Sequence, residues 1–345
     1  MSPESATPVT AALRIPMAAG DLDAGVRAGL EVVERQLHDA VQQVDPLADD
    51  AARHLVRAGG KRSRPLLTLL AAHLGDPLRP EVIEAAIVVE LTHLATLYHD
   101  DVMDGADRRR GAPSVHAQWG NTVAILTGDL LFARASMIVA ALGPEAVRIQ
   151  AATFERLCLG QLHETIGPRD GEDPVEHYLT VLADKTGSLI ATAARFGAMF
   201  AGCAESVQQV LIAYGEKVGV AFQLADDVID LSSDAAVTGK TPGTDLREHV
   251  PTLPVLLLRR HVSSSGPGVD AESVALLAAL DGDLADDAVL ADVVARLAVH
   301  PVTGQARAEA SRWAAEAAES LAALEPSPAR DALRDFASAV VARTA

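Results

Sequence analysis

The sequence predicts an all-α protein: a single-domain bundle of long helices around a deep central cavity. Three observations carry this. Nearly half of the 345 residues are apolar (49%) but only 3% are aromatic, so the core must be built largely from alanine and leucine, both good helix formers. Apolar residues recur at steps of three and four through long stretches. No strand-like alternation of useful length and no repeat of 20–50 residues interrupts them.

The elements follow in order. Residues 1–20, rich in Ser, Pro, Thr and Ala, are expected to be a mobile N-terminal segment, and the domain is expected to fill residues 21–345. Val26, Leu30, Val33, Leu37 and Val41 mark a first amphipathic helix, stopped by Asp45-Pro46. A shorter helix over about 47–58 ends in Gly59-Gly60. Pro65 is expected to open the next, after the basic run Lys61-Arg62-Ser63-Arg64. A nearly all-apolar helix is expected from about 80 to 106. A long helix over about 121–142 follows, then one reaching about Thr165. Residues 167–173 read as an exposed loop. Helices at about 174–183, 185–202 and 204–232 lead to a polar loop over about 233–250, and four or five helices complete the chain.

The net charge is −18, from 29 basic and 47 acidic residues, which argues against nucleic acid or an anionic membrane as a partner. No signal-peptide pattern and no uninterrupted apolar run of about 18 residues is seen, so a cytoplasmic protein without stable membrane insertion is expected. Cys158 and Cys203 form no CxxC pattern and read as small core residues in a reducing compartment.

The chemistry concentrates in two acidic clusters. Asp100-Asp101-Val102-Met103-Asp104 ends the apolar helix, with Asp100 and Asp104 four apart and therefore on one face, and Asp101 beside them. The pattern recurs at Asp226-Asp227-Val228-Ile229-Asp230, with Gln223 three residues before Asp226. Crowded carboxylates at the ends of buried helices repel one another and are costly to desolvate. Oxygen-only donors suit Mg²⁺, which commonly combines one or two carboxylates with substrate phosphates. Two such faces across a cavity would hold metal ions and a diphosphate between them. Basic residues next to glycines at helix ends support this: Lys61, Arg62 and Arg64 beside Gly59-Gly60, Arg109 and Arg110 before Gly111, Lys185-Thr186 before Gly187, and Gly239-Lys240. Arg108 reads as a surface charge.

Taken together, these motifs resemble the trans-isoprenyl diphosphate synthases, the trans-polyprenyl synthase family, over nearly the whole chain after residue 20. The resemblance runs through Gly59-Gly60-Lys61-Arg62-Ser63-Arg64-Pro65, Glu90-Leu91-Thr92-His93, His99 to Asp104, Arg109-Arg110-Gly111, Gly128-Asp129, Gly160-Gln161, Lys185-Thr186 and Phe222 to Asp230. It continues through Gly239-Lys240, Gly243-Thr244-Asp245 and Thr252-Leu253-Pro254. It implies a homodimeric all-α enzyme using three Mg²⁺ ions, with Asp100, Asp104 and Asp226 as principal ligands and Asp101, Asp227 and Asp230 in support. Arg109, Lys185 and Lys240 would hold an allylic diphosphate, with Gln223 and Thr186 nearby. Lys61, Arg64, His93 and Arg110 would hold isopentenyl diphosphate.

The reaction implied is condensation of isopentenyl diphosphate with farnesyl or geranylgeranyl diphosphate. Ala95 and Thr96, just before Asp100, are positions where a bulky aromatic gives a short product in the family. Both are small here. With the uninterrupted Asp-Asp-x-x-Asp spacing this implies a long all-trans product, about heptaprenyl to nonaprenyl, for a quinone side chain. Thr92, Phe132, Met137 and Phe154 are deeper residues that would close the tunnel, and a geranylgeranyl diphosphate synthase is the alternative. A class I terpene cyclase would lack the second Asp-Asp-x-x-Asp, and a non-catalytic subunit of a heteromeric synthase would have lost aspartates from one motif. One departure stands out: where many members carry Gly-Lys before Thr-Leu-Pro, this chain has His249-Val250. Arg247 is the nearby cation that would compensate.

Overall fold

The computed structural model describes residues 20–232, 242–264 and 268–342. The helices are α1 (Asp21–Ala40), α2 (Pro46–Arg57), α3 (Ser63–Ala72), α4 (Pro80–Met103), α5 (Val115–Trp119), α6 (Asn121–Leu142), α7 (Pro144–Ile166) and α8 (Pro174–Leu182). A π-helical turn (Ala183–Gly187) leads into α9 (Ser188–Phe200) and α10 (Glu205–Ser232). Then come α11 (Thr244–Arg247), α12 (Leu253–Ser264), α13 (Ala271–Leu280), α14 (Asp287–Val299), α15 (Pro301–Ser320) and α16 (Pro328–Ala342). Among the described residues, extended pairing is confined to β1 (Arg108–Arg109) and β2 (Ala112–Pro113), a small antiparallel hairpin. The expected mobile segment falls almost wholly on residues 1–19, and Lys240 on 233–241, both outside the described residues.

Helix α4 is the axis. Its sequence is apolar on nearly every side, and Val82, Ala85, Ala86, Val88, Val89, Leu91, Leu94 and Tyr98 are all 0–1% exposed. It is flanked by α1, α3, α6 and α9. Both α4 and α6 are long and apolar enough to cross a bilayer by length and composition, although charged residues interrupt the apolar run in each. For α4 the reason for this apolar composition is burial inside the bundle. The second half of the chain packs on α10, with α15 lying along it and Ala306 and Ala310 set against Val220, Leu224 and Val228. The small side chains on α15 bring the two helix axes close together.

Two boundaries differ from the sequence reading. Helix α3 starts at Ser63, so Pro65 is its third residue; the first four helical N–H groups have no intrahelical acceptor, and proline loses nothing there. Helix α4 stops at Met103 because Gly105 takes a positive φ of 62°, which leaves Asp104 as the capping residue. Cys158 is exposed on α7 rather than in the core, and Cys203 is half-buried against it.

Candidate active site

One cavity of about 1670 Å³ lies between the C-terminal ends of α4 and α10. That exceeds the roughly 300–1,000 Å³ of ordinary small-ligand pockets. Its walls bring together Lys61, Arg64, His93, Thr96, Asp100, Arg109, Arg110, Lys185, Thr186, Gln223, Asp226, Asp227 and Asp230, from segments spread over 170 residues of chain.

The aspartates do not all face the same way. Asp100 lines the cavity, and burial pushes its carboxyl up to about 6, with Lys185 opposing and Asp104 adding. Asp104 is exposed, beyond the end of α4. Asp101 is 0% exposed and is turned onto Arg109, whose Nε donates to Asp101 Oδ1 at 2.6 Å. On α10, Asp226 and Asp230 line the cavity, and the Asp245 backbone N–H donates to Asp230 Oδ2 at 3.4 Å. Asp227 is 5% exposed and accepts from the Tyr178 hydroxyl and from Gln223 Nε2, the latter at 3.1 Å. Burial, reinforced by Asp245, pushes the Asp227 carboxyl up to about 8. The second aspartate of each pair therefore braces a neighbouring side chain. Successive helical residues point about 100° apart, so a pair of adjacent aspartates cannot share one direction.

The cations come from three places. Gly59 and Gly60 have φ of 79° and 151°, and a Cβ on Gly60 would meet the Arg110 guanidinium at 2.8 Å. Arg110 itself has φ 53° and donates from Nη1 to the Gly59 carbonyl and, at 3.0 Å, to the Leu55 carbonyl. Arg64 is half-buried at the cavity wall; desolvation, with Arg110 nearby, pulls its guanidinium down to about 10, and its Nε has no hydrogen-bond partner. His93 is held well below its usual range by burial and by Arg64 and Arg110, so it is neutral at pH 7. Lys61 sits 5.8 Å from the Phe222 ring centroid.

Arg62, the third cation of that run, is instead structural. Its Nε donates to Glu34 at 2.7 Å and its Nη1 to Glu90 at 3.0 Å, and its side chain is 2% exposed. Arg108 is exposed and donates to the Gly111 carbonyl at 2.6 Å.

Lys185 and Thr186 lie in the π-helical turn, a distortion common at functional sites. Lys185 pairs with Glu164. Burial alone would lower the ammonium's pKa, but Glu164 and Asp100 raise it overall. The fit of α7 against this turn explains Gly160, where a Cβ would lie 2.7 Å from the Lys185 backbone nitrogen. Thr186 Oγ1 donates to Gln223 Oε1 at 3.4 Å.

His249 and Arg247 both lie away from the cavity lining. His249 is exposed with φ 55°, and Arg247 pairs with Asp287. A cation that no motif indicated does reach the lining: Arg307 on α15.

The apolar end is lined by Thr96, Leu97, Ile125, Phe154, Leu157, Cys158 and Leu162. Phe154 stacks on Phe132 with ring centroids 3.9 Å apart. One turn further along α4, Thr92 is 1% exposed and accepts from Gln150 Nε2 at 3.3 Å, outside the lining. Thr96 faces the cavity, whereas Ala95 is 1% exposed in the core and lies outside the lining. Met137 is 67% exposed on the outer face of α6 and closes nothing in this chain.

Carboxylates on two walls, Asp100 on α4 and Asp226 and Asp230 on α10, suit a hard divalent ion. Among the described residues no three acidic, His or Cys side chains converge on one point.

Comparison with known proteins agrees with this geometry. The polyprenyl synthetase family profile matches residues 45–270. A nonaprenyl diphosphate synthase of Mycobacterium tuberculosis is 46% identical over 338 residues, 98% of this chain and 99% of that protein. A geranylgeranyl pyrophosphate synthase of Corynebacterium glutamicum, solved with calcium and isoprenyl diphosphate, superposes with a TM-score of 0.82 at 42% identity, covering 95% of this chain and 99% of that one. A decaprenyl diphosphate synthase of Rhodobacter capsulatus superposes at 0.81 with 31% identity, covering 94% and 98%. This chain belongs to the polyprenyl synthetase family.

Proposed function

We propose that this chain is a prenyltransferase that condenses isopentenyl diphosphate with an allylic diphosphate, farnesyl or geranylgeranyl, to give a long all-trans polyprenyl diphosphate of heptaprenyl to nonaprenyl length. The observation that carries the reading is that Asp100 on α4 and Asp226 and Asp230 on α10 line one cavity with Arg64, Arg109, Arg110 and Lys185. Asp100, Asp104, Asp226 and Asp230 would hold Mg²⁺ together with substrate oxygens. Mg²⁺, when bound, supplies Lewis-acid stabilisation of charge on the leaving diphosphate.

The chain's own residues do the rest. Arg109, fixed by Asp101, and Lys185, fixed by Glu164, grip the allylic diphosphate as its C–O bond to the prenyl carbon breaks. The family resemblance adds Lys240 to that set, a residue outside the described ones. Arg64 and Arg110 hold isopentenyl diphosphate, and neutral His93 adds a hydrogen bond without adding charge. This grip sets the double bond of isopentenyl diphosphate against the allylic cation. A proton lost from the adduct leaves on the departing pyrophosphate. Phe154, Leu157 and Leu162 keep water from the cation.

We further propose a homodimer. Leu126, Leu130 and Met137 fall on one face of α6 and are 56%, 39% and 67% exposed, and Ile166 of α7 is 67% exposed. A second copy would cover this face. The competing reading, a geranylgeranyl product, is favoured by the Phe132–Phe154 stack at the cavity floor. The experiment is elongation by purified protein with Mg²⁺, farnesyl diphosphate and isopentenyl diphosphate, the products sized by chromatography. No elongation from any allylic primer would overturn the reading, and a product stopping at twenty carbons would select the shorter alternative.

A further inference from the structure

We infer that Arg307 is a diphosphate-binding residue of this cavity, supplied by the C-terminal part of the chain. Arg307 sits on α15, which runs along α10, and its neighbours Ala306 and Ala310 pack against Leu224 and Val228, the residues interleaved with Asp226 and Asp230. Its side chain lines the same cavity as Asp226, Asp230, Pro242 and Asp245.

The cavity's other positive groups show why this matters. Arg62 is bound by Glu34 and Glu90, Arg109 by Asp101, Arg110 by two backbone carbonyls and Lys185 by Glu164. Arg307 has no ion pair among the described residues, and its Nε is buried with no hydrogen-bond partner. The same is true of Arg64. Burying a guanidinium nitrogen without an acceptor is costly; Glu90, Asp100 and Asp226 offset that cost for Arg64 only through space, and among the described residues nothing accepts from either Nε. An anion in the cavity would. The planar fork of arginine matches two oxygens of a phosphate group, which a lysine ammonium does not do.

The position selects the kind of anion. Arg307 shares its wall with the carboxylates of α10, so an isolated negative ligand would be repelled there. A diphosphate neutralised by divalent ions on those carboxylates would not, and it leaves oxygens free for the guanidinium. Resting on the prenyl-transfer reading, that ligand is the allylic diphosphate and, after reaction, the released pyrophosphate.

The test uses the full chain with Arg307→Met, which keeps the unbranched stem packed against α10, and Arg307→Lys, which keeps the charge. Affinity for inorganic pyrophosphate in the presence of Mg²⁺ is measured by titration calorimetry, alongside the KM of each substrate. Arg307→Met should weaken pyrophosphate binding about tenfold to a hundredfold, as expected for loss of a charge-assisted hydrogen bond. It should raise the KM for farnesyl diphosphate similarly and leave that for isopentenyl diphosphate unchanged; Arg307→Lys should recover part of both losses. Unchanged pyrophosphate affinity would overturn the assignment. So would an equal loss for both substrates with a lower melting temperature, which would mark Arg307 as a packing residue. Should the wild-type chain elongate no primer yet still bind pyrophosphate through Arg307, the prenyl-transfer reading falls and the diphosphate site stands.

Discussion

Asp101 and Arg109 form a pair in which the carboxylate is fully buried and the guanidinium reaches the cavity: Arg109 Nε donates to Asp101 Oδ1 at 2.6 Å. The carboxylate belongs to the end of α4 and the arginine to the hairpin that follows it. The pair fixes the angle at which the chain leaves the helix. We propose that it makes Asp101 a positioning residue, distinct from Asp100 and Asp104.

Asp101→Asn should therefore lower kcat/KM for the allylic substrate by about tenfold to a hundredfold, as expected for loss of a charge-assisted hydrogen bond. Binding of Mg²⁺ without substrate should stay close to wild type. Steady-state kinetics beside metal titration separates the two effects. Mg²⁺ affinity falling as far as for Asp100→Asn would show that Asp101 is a direct ligand.

Arg62 serves the opposite wall from inside the core. Its backbone takes φ 47° at the start of α3, and its side chain ties α1 to α4 through Glu34 and Glu90. Glu90 is 2% exposed, so removing the arginine strands a buried charge. Arg62→Met should cost about 3–5 kcal/mol by urea unfolding. Glu34 is more exposed (29% by side chain), so Glu34→Gln should cost less. Equal stability of Arg62→Met and wild type would show that the network is not needed to hold the loop.

These cases show what the sequence made legible. Two carboxylate triplets at the ends of apolar helices, and cations next to glycines, announced the cavity before any coordinates. The direction of each aspartate was also available: Asp100 and Asp104 are four apart, while Asp101 lies about 100° round the helix. What stayed hidden depended on tertiary packing. Arg62 looks like its neighbours Lys61 and Arg64 until α1 brings Glu34 to it. Arg307 stands in an alanine-rich helix with no motif around it, and only the packing of α15 on α10 carries it to the cavity. The core placement of Ala95 was within reach, because Ala95 and Thr96 are adjacent on a helix and cannot both face the tail.

The aspartates also predict how stability responds to pH in the absence of metal. The Asp100 and Asp227 carboxyls are raised from 3.8 to about 6 and about 8 by burial. A carboxyl raised in the folded state binds more protons there than in the unfolded chain. Its stabilising contribution is complete below the unfolded value and is lost as pH rises through the folded one. Chelator-treated protein should therefore show a melting temperature that drops by at least about 2–4 °C between pH 5 and pH 8.5. Mg²⁺ favours the charged carboxylates, so millimolar Mg²⁺ should raise the melting temperature more at pH 8.5 than at pH 5. A Mg²⁺ effect independent of pH would contradict this account.

Product length should answer to the cavity floor. Thr96 faces the cavity one turn before Asp100, and Phe154, backed by Phe132, faces it from α7. Thr96→Phe fills the space beneath the diphosphate and should shorten the main product by several isoprene units, with elongation of short primers retained. Phe154→Ala should lengthen it. Ala95 is a different case, because it is 1% exposed in the core. An aromatic ring there has no cavity to enter, and Ala95→Phe should cost about 1–3 kcal/mol through overpacking before it alters the product. Chromatographic sizing of products from all three variants, with thermal melts of each, distinguishes the two positions. Shortening by Ala95→Phe at unchanged stability, with no effect of Thr96→Phe, would move the tunnel to the other side of α4.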